Sequence, residues 1–356
     1  MRIALISTPW APVPPPLYGG IELVIDSLAR GLTAEGPSVT LFTTGESTCP
    51  VERRWVLDKA EGDRIGFIVP ELRHLLHAYH DLSEFDIVHD HTLIGPFLAS
   101  GPGSSLLRKP AGSPALPPVV TTIHGPLDAE LAEIYEPLSR AVHVVAISHS
   151  QARDAPQVNI AQVIHHGLDA RDFPFGDGKG GYALFLGRMA PAKGADTAIA
   201  AAKKAGVPLL MAAKMREPWE HEYFREVLMP LLGNDAEYLG EVSHERKLEL
   251  LASASALLFP IRWHEPFGMV MIEAMACGTP VLAFPAGSVP EIVEDAKTGF
   301  ICADDVEMAD ALGRVQTLDR RRVRAAVEGR FSAKRMARDH LELFEDILAR
   351  HGHVQE

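Results

Sequence analysis

One stretch limits the choice of fold more than any other. It opens with the apolar run Ala256-Leu257-Leu258-Phe259-Pro260-Ile261 and continues as His264-Glu265-Pro266-Phe267-Gly268-Met269-Val270-Met271-Ile272-Glu273-Ala274-Met275-Ala276-Cys277-Gly278-Thr279-Pro280-Val281. The apolar run reads as a buried strand. Glu265-Pro266-Phe267-Gly268 reads as a turn, because proline removes a donor and moves the residue before it away from helical backbone. Residues 268–277 are good helix formers, and Gly278 with Thr279-Pro280 is a stop signal. Two carboxylates therefore bracket the first turns of a helix that starts at a glycine. Such a start offers free N–H groups and a partial positive charge that an anion can approach closely. Glu273 stands eight positions after Glu265, roughly 12 Å along a helix. That reach suits a sugar at one end and a ribose at the other, with a diphosphate between. It also suits a buried helix with one solvated and one capping glutamate.

The rest of the chain repeats the strand, loop, helix rhythm. Residues 2–7 read as a buried strand, followed by a stiff proline segment that ends in Gly19-Gly20. Ile21, Val24, Ile25, Leu28 and Leu32 then recur at helical spacing up to Gly36, and residues 39–43 form the next strand. In such a unit a ligand lies at the carboxyl end of the strand, so Gly19 and Gly20 are candidates to meet a phosphate or sugar with bare backbone, or form a plain turn. Three further strands run out into Asp90-His91, His124-Gly125 and Ser148-His149-Ser150, which would gather polar groups on one rim. His89 and His91 read more readily as structural histidines. His124 is the stronger candidate, because Gly125-Pro126 breaks the chain directly after it. Residues 101–118 read as an exposed loop, and residues 173–181, which break every pattern, as a linker. A second α/β series begins at residue 183, and residues 333–350 form an amphipathic helix. The basic run from Arg320 to Arg338 reads as a solvated helix face rather than a nucleic-acid patch.

Length and charge narrow the functions open to such a chain. A chain of 356 residues suits two domains. A net charge of −13 argues against nucleic acid as the main partner, while a local basic cleft remains compatible with it. Cys49, Cys277 and Cys302 are scattered without metal-ligand spacing, as expected of a reduced, cytoplasmic protein. The N-terminal apolar run is too short for a signal peptide, and no segment has the length of a membrane span. Peripheral contact is then the one membrane association left open.

Chemistry follows from Gly187-Arg188-Met189-Ala190-Pro191-Ala192-Lys193-Gly194, which places two cations just after a strand. An arginine fork and a lysine point charge facing a helix N-terminus would neutralise a diphosphate leaving group with no metal and no cofactor. The chain has no GxxxxGK[ST] loop, no GxGxxG after a strand, no GxSxG elbow and no HExxH. Asp304-Asp305 reads as a solvated turn rather than a metal-binding pair. These absences weaken NTPase, dehydrogenase, esterase and zinc hydrolase readings.

Together the 187–194 and 265–281 motifs resemble family 4 of the retaining glycosyltransferases, whose signature is two glutamates with seven residues between them. Tyr18-Gly19-Gly20, Thr122-Ile123-His124, Ile147-Ser148, His166-Gly167-Leu168-Asp169, Gly240-Glu241-Val242-Ser243, Gly287-Ser288-Val289-Pro290-Glu291 and Thr298-Gly299-Phe300 also fit, so the similarity covers nearly the whole chain. It implies an α/β fold of GT-B type: two Rossmann-like domains facing across a cleft. Residues 1–172 would form the acceptor side, with a C-terminal helix in 333–356 packing back on it, and residues 173–332 would bind the nucleotide-sugar. It also implies roles. Arg188, Lys193 and the amides around Gly268, Met269 and Val270 would hold the diphosphate, Glu273 the ribose and the Val242 backbone the base. Glu265 would orient the hexose, and His124, Gly19 and Gly20 would approach the transferred sugar and the acceptor. The expected donor is a uridine diphosphate hexose and the expected acceptor a growing glycan or glycolipid. A sugar phosphorylase of the same architecture and a non-catalytic sugar-nucleotide-binding protein are the competing readings. One departure from the family lies at His165-His166-Gly167, where asparagine commonly precedes the glycine.

Overall fold

A computed structural model describes residues 1–17, 19–80, 82–99 and 116–354; Tyr18, Gly101-Pro102-Gly103 and most of the 101–118 stretch lie outside them. The chain divides into two compact units, Met1–Gly167 with Ala333–Glu356, and Leu168–Ser332.

The first unit is built on seven strands: β1 (Arg2–Ile6), β2 (Ser38–Phe42), β3 (Glu52–Arg54), β4 (Ile87–Asp90), β5 (Val119–Thr122), β6 (His143–Ala146) and β7 (Ile160–Val163). They lie in the order β3-β2-β1-β4-β5-β6-β7, and every neighbouring pair is parallel. Parallel sheets are covered on both faces, which is why Ile3 to Ile6 of β1 are all fully buried. The chain winds outward through β2 and β3, then restarts on the other side of β1 with β4. The crevice beyond the carboxyl ends of β1 and β4 is therefore the topological switch point of this unit.

The helix Gly20–Ala34 buries Val24, Ile25, Leu28 and Leu32, the stripe expected from their spacing. The last helix, Ala333–Val354, packs against it. Gly31 lets the two approach: a β-carbon there would lie 3.0 Å from the Ala337 β-carbon and 3.1 Å from the Ala333 carbonyl oxygen.

The second unit repeats the scheme with six strands: β8 (Ala183–Arg188), β9 (Leu209–Lys214), β10 (Ala236–Gly240), β11 (Leu257–Phe259), β12 (Val281–Ala283) and β13 (Gly299–Ile301). Their order is β10-β9-β8-β11-β12-β13, again all parallel. Here the switch point lies between β8 and β11. The loops leaving these two strands carry Arg188 to Lys193 and His264 to Gly268, so topology alone sets the two motifs side by side.

Two stretches differ from the sequence reading. Residues 173–181 hold no regular structure, yet they are tied down: the Gly176 amide donates to Cys277 O at 3.0 Å and the Gly180 amide to Ser253 O at 2.8 Å. Part of the basic run, too, faces inward. The Arg320 guanidinium donates to the carbonyls of Gly176 (2.9 Å), Ala254 (3.0 Å) and Ala252 (3.1 Å) and to Thr279 Oγ1 (2.7 Å). Arg324 donates to Phe173 O, Ala276 O and Ala170 O. Only a planar fork with several donors reaches so many carbonyls at once, which is why arginine and not lysine stands at both positions.

Arg320→Met would leave these carbonyls without their donor in a half-buried site. We expect a loss of about 2–4 kcal/mol in chemical denaturation of the full chain, with little recovery in Arg320→Lys. A loss under about 1 kcal/mol would show that water replaces the clamp.

Candidate functional site

In the second unit, β8 ends at Arg188, which is 39% exposed, and its Nε and Nη2 lie 2.9 and 2.7 Å from Glu220 Oε1. Glu220 is itself fully buried and accepts the amides of Arg216 (2.7 Å) and Glu217 (3.0 Å) at the start of the helix Pro218–Tyr223. A buried, backbone-anchored carboxylate thus aims a half-exposed guanidinium. The β9 register sets Lys214 beside Arg188. Burial, and then the charges of Arg216 and Arg188, push the Lys214 ammonium below its ordinary value.

Lys193 sits at the end of a 3-10 turn, Pro191–Lys193, and Gly194 follows with φ +74. A β-carbon at Gly194 would meet the Pro260 carbonyl oxygen at 2.2 Å, and the Arg262 amide donates to Ala192 O at 2.8 Å. The two motif loops are therefore stitched together by backbone. Lys193 Nζ lies 2.5 Å from Glu265 Oε2, which also accepts Trp263 Nε1 at 2.9 Å. The same ammonium sits 4.8 Å from the Trp263 ring centre, a cation–π distance. The Glu265 backbone is fixed from the other side. Ser288 N donates to Glu265 O at 2.9 Å, and a β-carbon on Gly287, at φ +60, would come within 2.3 Å of that oxygen.

Gly268, at φ +79, is the N-cap of the helix Met269–Ala276. Gly268, Met269 and Val270 are half-buried, and the first amides of a helix lack an acceptor one turn earlier. One turn further on, Glu273 is buried, with Oε1 2.6 Å from Lys247 Nζ. Lys247 stands on the helix His244–Ser253, capped by Ser243 directly after Val242. The structure thus brings together Lys193 with Glu265, gives Glu273 a different cation, and directs Arg188 to Glu220. Sequence reasoning missed Lys247, Glu220 and Lys214, which carry no motif and meet their partners only through the fold.

In the first unit, Gly20 opens the helix Gly20–Ala34, and a β-carbon on Gly19 would meet Pro15 Cβ at 2.7 Å. His124 follows β5 and is half-buried. Its backbone is pinned on both sides by one side chain: Gln151 Nε2 donates to Ile123 O (2.9 Å) and Gly125 O (2.6 Å). Its ring joins a row of imidazoles, with His91 Nδ1 2.8 Å from His124 Nε2 and His124 Nδ1 3.3 Å from His166 Nε2. His89 bonds Thr122 Oγ1 at 2.8 Å, and its ring centre lies 4.9 Å from that of His340. Burial holds His89, His91 and His166 well below the ordinary imidazole value. Burial, then the His340 charge, lowers His124 to about 3, and burial lowers His340 to about 4. His91, read as structural, turns out to touch the candidate imidazole itself.

Residues 18–172 match the family described as Glycosyltransferase Family 4, and residues 170–330 match Glycosyl transferases group 1. The chain belongs to glycosyltransferase family 4. A D-inositol 3-phosphate glycosyltransferase of Mycobacteroides abscessus is 26% identical over 372 residues, covering 88% of this chain and 81% of that protein. The crystal structure of AviGT4, a glycosyltransferase involved in avilamycin A biosynthesis, matches with a TM-score of 0.72 at 27% identity over 98% of both chains. Anabaena HepE in complex with UDP-glucose matches with a TM-score of 0.73 at 20% identity, covering 97% of this chain and 100% of that one. The transferase thus has the α/β GT-B fold. Among its described residues no helix is long and apolar enough to cross a membrane, and no group of three His, Cys, Asp or Glu side chains is arranged to hold a metal ion.

The buried histidines are expected to make the transferase less stable in acid. Below about pH 6.5 the unfolded chain takes up protons that the folded imidazoles refuse, so stability present above that pH is lost as pH falls towards about 4 for His74 and His340. Asp90, raised to about 6 by burial, works in the opposite direction over part of this range. Each imidazole contributes a slope of up to about 1.4 kcal/mol per pH unit. Denaturation of His340→Leu between pH 4 and 7 should show a shallower acid slope than the native chain; an unchanged slope would contradict this.

Proposed function

We propose that this glycosyltransferase moves a hexose from a uridine diphosphate donor to a hydroxyl acceptor, with retention at the anomeric carbon and without metal. One observation carries the reading: two carboxylate–lysine pairs, Lys193–Glu265 and Lys247–Glu273, bracket a helix that begins at Gly268, at the switch point of a parallel sheet. A sugar nucleotide needs that set of groups. Arg188, Lys193 and the amides of Gly268, Met269 and Val270 would take the diphosphate, and Glu273 the ribose hydroxyls. The Val242 backbone would meet the base, and Glu265 the hexose. Gly19 and Gly20 offer bare backbone to the sugar and acceptor, and His124 a neutral imidazole to the transferred hexose. The same fold holds UDP-glucose in Anabaena HepE. A glycan or glycolipid is the acceptor class we favour, and three buried free cysteines suit a reducing cytoplasm.

Retention by double displacement needs a carboxylate nucleophile on the face opposite the leaving group. Glu265 is committed to Lys193 and Trp263. We therefore favour attack from the face the diphosphate leaves. The bond from C1 to the phosphate oxygen breaks, the bond from the acceptor oxygen to C1 forms, and the acceptor's proton passes to the departing phosphate oxygen. Arg188, Lys193 and the helix N-terminus would act where charge on that oxygen grows.

Free UDP carries a ribose but no hexose, so it separates the two glutamates. Glu273→Gln should weaken UDP binding about tenfold, while Glu265→Gln should lower turnover more than UDP affinity. Equal loss of UDP binding in calorimetry would contradict the division. The reaction itself is tested by incubating UDP-hexoses with excess chelator and reading the product anomer by NMR. An α-linked product from an α-donor is expected; inversion, or full dependence on added Mg²⁺ or Mn²⁺, would overturn the mechanism.

A further inference from the structure

Both ring nitrogens of His124 are already engaged by other imidazoles, Nε2 with His91 Nδ1 and Nδ1 with His166 Nε2. A neutral imidazole carries one N–H and one lone pair, so each of these contacts needs a donor on one ring and an acceptor on the other. Two arrangements satisfy the row. Either protons run from His166 through His124 to His91, or from His91 through His124 to His166. The far nitrogen of His91, Nε2, decides between them. It is buried and has no partner among the described residues. In the first arrangement it would be a buried N–H with no acceptor, the rarer and costlier defect; in the second it is only an unused lone pair.

We propose that His91 and His166 are positioning residues that hold His124 as the Nδ1–H tautomer, with Nε2 accepting from His91 and Nδ1 donating to His166. The inference rests on the reading of His124 as a contact of the transferred sugar. Burial keeps all three rings neutral, as the row requires. The charged and titratable groups around it are His89, His340, His165 and Arg335, whose guanidinium is held by the carbonyls of His165 and His166 and by Asp339. The Nδ1 contact, at 3.3 Å, is the longer of the two, so a sugar hydroxyl displaces His166 from it more easily than His91 from Nε2. His166 then serves as the acceptor that keeps the His124 N–H in place until substrate takes it. That gives the histidine found before Gly167, where the family commonly has asparagine, a function.

Long-range ¹H–¹⁵N correlation of the ¹⁵N-histidine-labelled full chain reads the tautomer directly. His124 should appear as Nδ1–H in the native chain and become a tautomer mixture in His91→Leu. It should return to Nδ1–H in His91→Asn, whose amide nitrogen stands near the position of Nδ1. His166→Ala should lower kcat about tenfold with UDP affinity unchanged, and His166→Gln, which restores an acceptor near Nε2, should recover most of it. A native His124 in the Nε2–H form, or averaged between forms, overturns the proposal. So does a tautomer that follows the variants while kcat does not. If His124→Ala also leaves kcat unchanged, the reading of His124 falls as well, which distinguishes the two failures.

Discussion

A parallel strand pair cannot be closed by a tight turn, and the whole molecule follows from that constraint. Each strand must be left at its carboxyl end and re-entered at its amino end, so every functional loop in a unit emerges on one side. Where the winding reverses, two neighbouring strands send their loops in opposite directions and open a crevice. In the second unit those strands are β8 and β11, and the loops are the ones that hold Arg188, Lys193, Glu265 and Gly268. In the first unit they are β1 and β4, which lead to Gly19 and His91, with His124 one strand further along. Residues more than seventy positions apart in sequence meet because the sheet order leaves them no other exit.

Within that frame, glycines set the distances and carboxylates set the directions. Gly194 and Gly287 remove side chains where a loop passes within contact of Pro260 and Glu265. Each important cation is then matched by a carboxylate: Arg188 by Glu220, Lys193 by Glu265 and Lys247 by Glu273. Pairs of this kind add little net stability, since desolvation offsets most of the attraction. Their value is geometric. Glu220, anchored to two amides, fixes where a guanidinium points.

How much of this was legible in the sequence depends on the range of the interaction. Strands buried on both faces announce themselves as continuous apolar runs, and β1, β8 and β11 were readable for that reason. Gly268 and the stop at Gly278 were readable because helix ends are local. By contrast β3, Glu52-Arg53-Arg54, is a short charged edge strand with no apolar signal of its own. The partners Glu220, Lys247 and Gln151 lie 32, 26 and 26 to 28 residues from what they hold, and no local rule links such positions. The inward turn of Arg320 and Arg324 escaped for the same reason: a basic helix looks solvated until the carbonyls it faces are known.

The charge balance shows why local geometry has to carry recognition. A chain with a net charge of −13 repels anions at long range, but at physiological ionic strength that field is screened beyond about 8 Å. Inside that distance only the nearest groups count. The β8 and β9 ends set Arg188, Lys214 and Arg216 close together, and burial first, then the charges of Arg216 and Arg188, push Lys214 down. Three cations held against their own repulsion are stabilised by the nearby carboxylates Glu220 and Glu241. Those carboxylates temper the positive charge without cancelling it. Arg188 keeps more than a third of its side-chain surface open beside the fully buried Glu220.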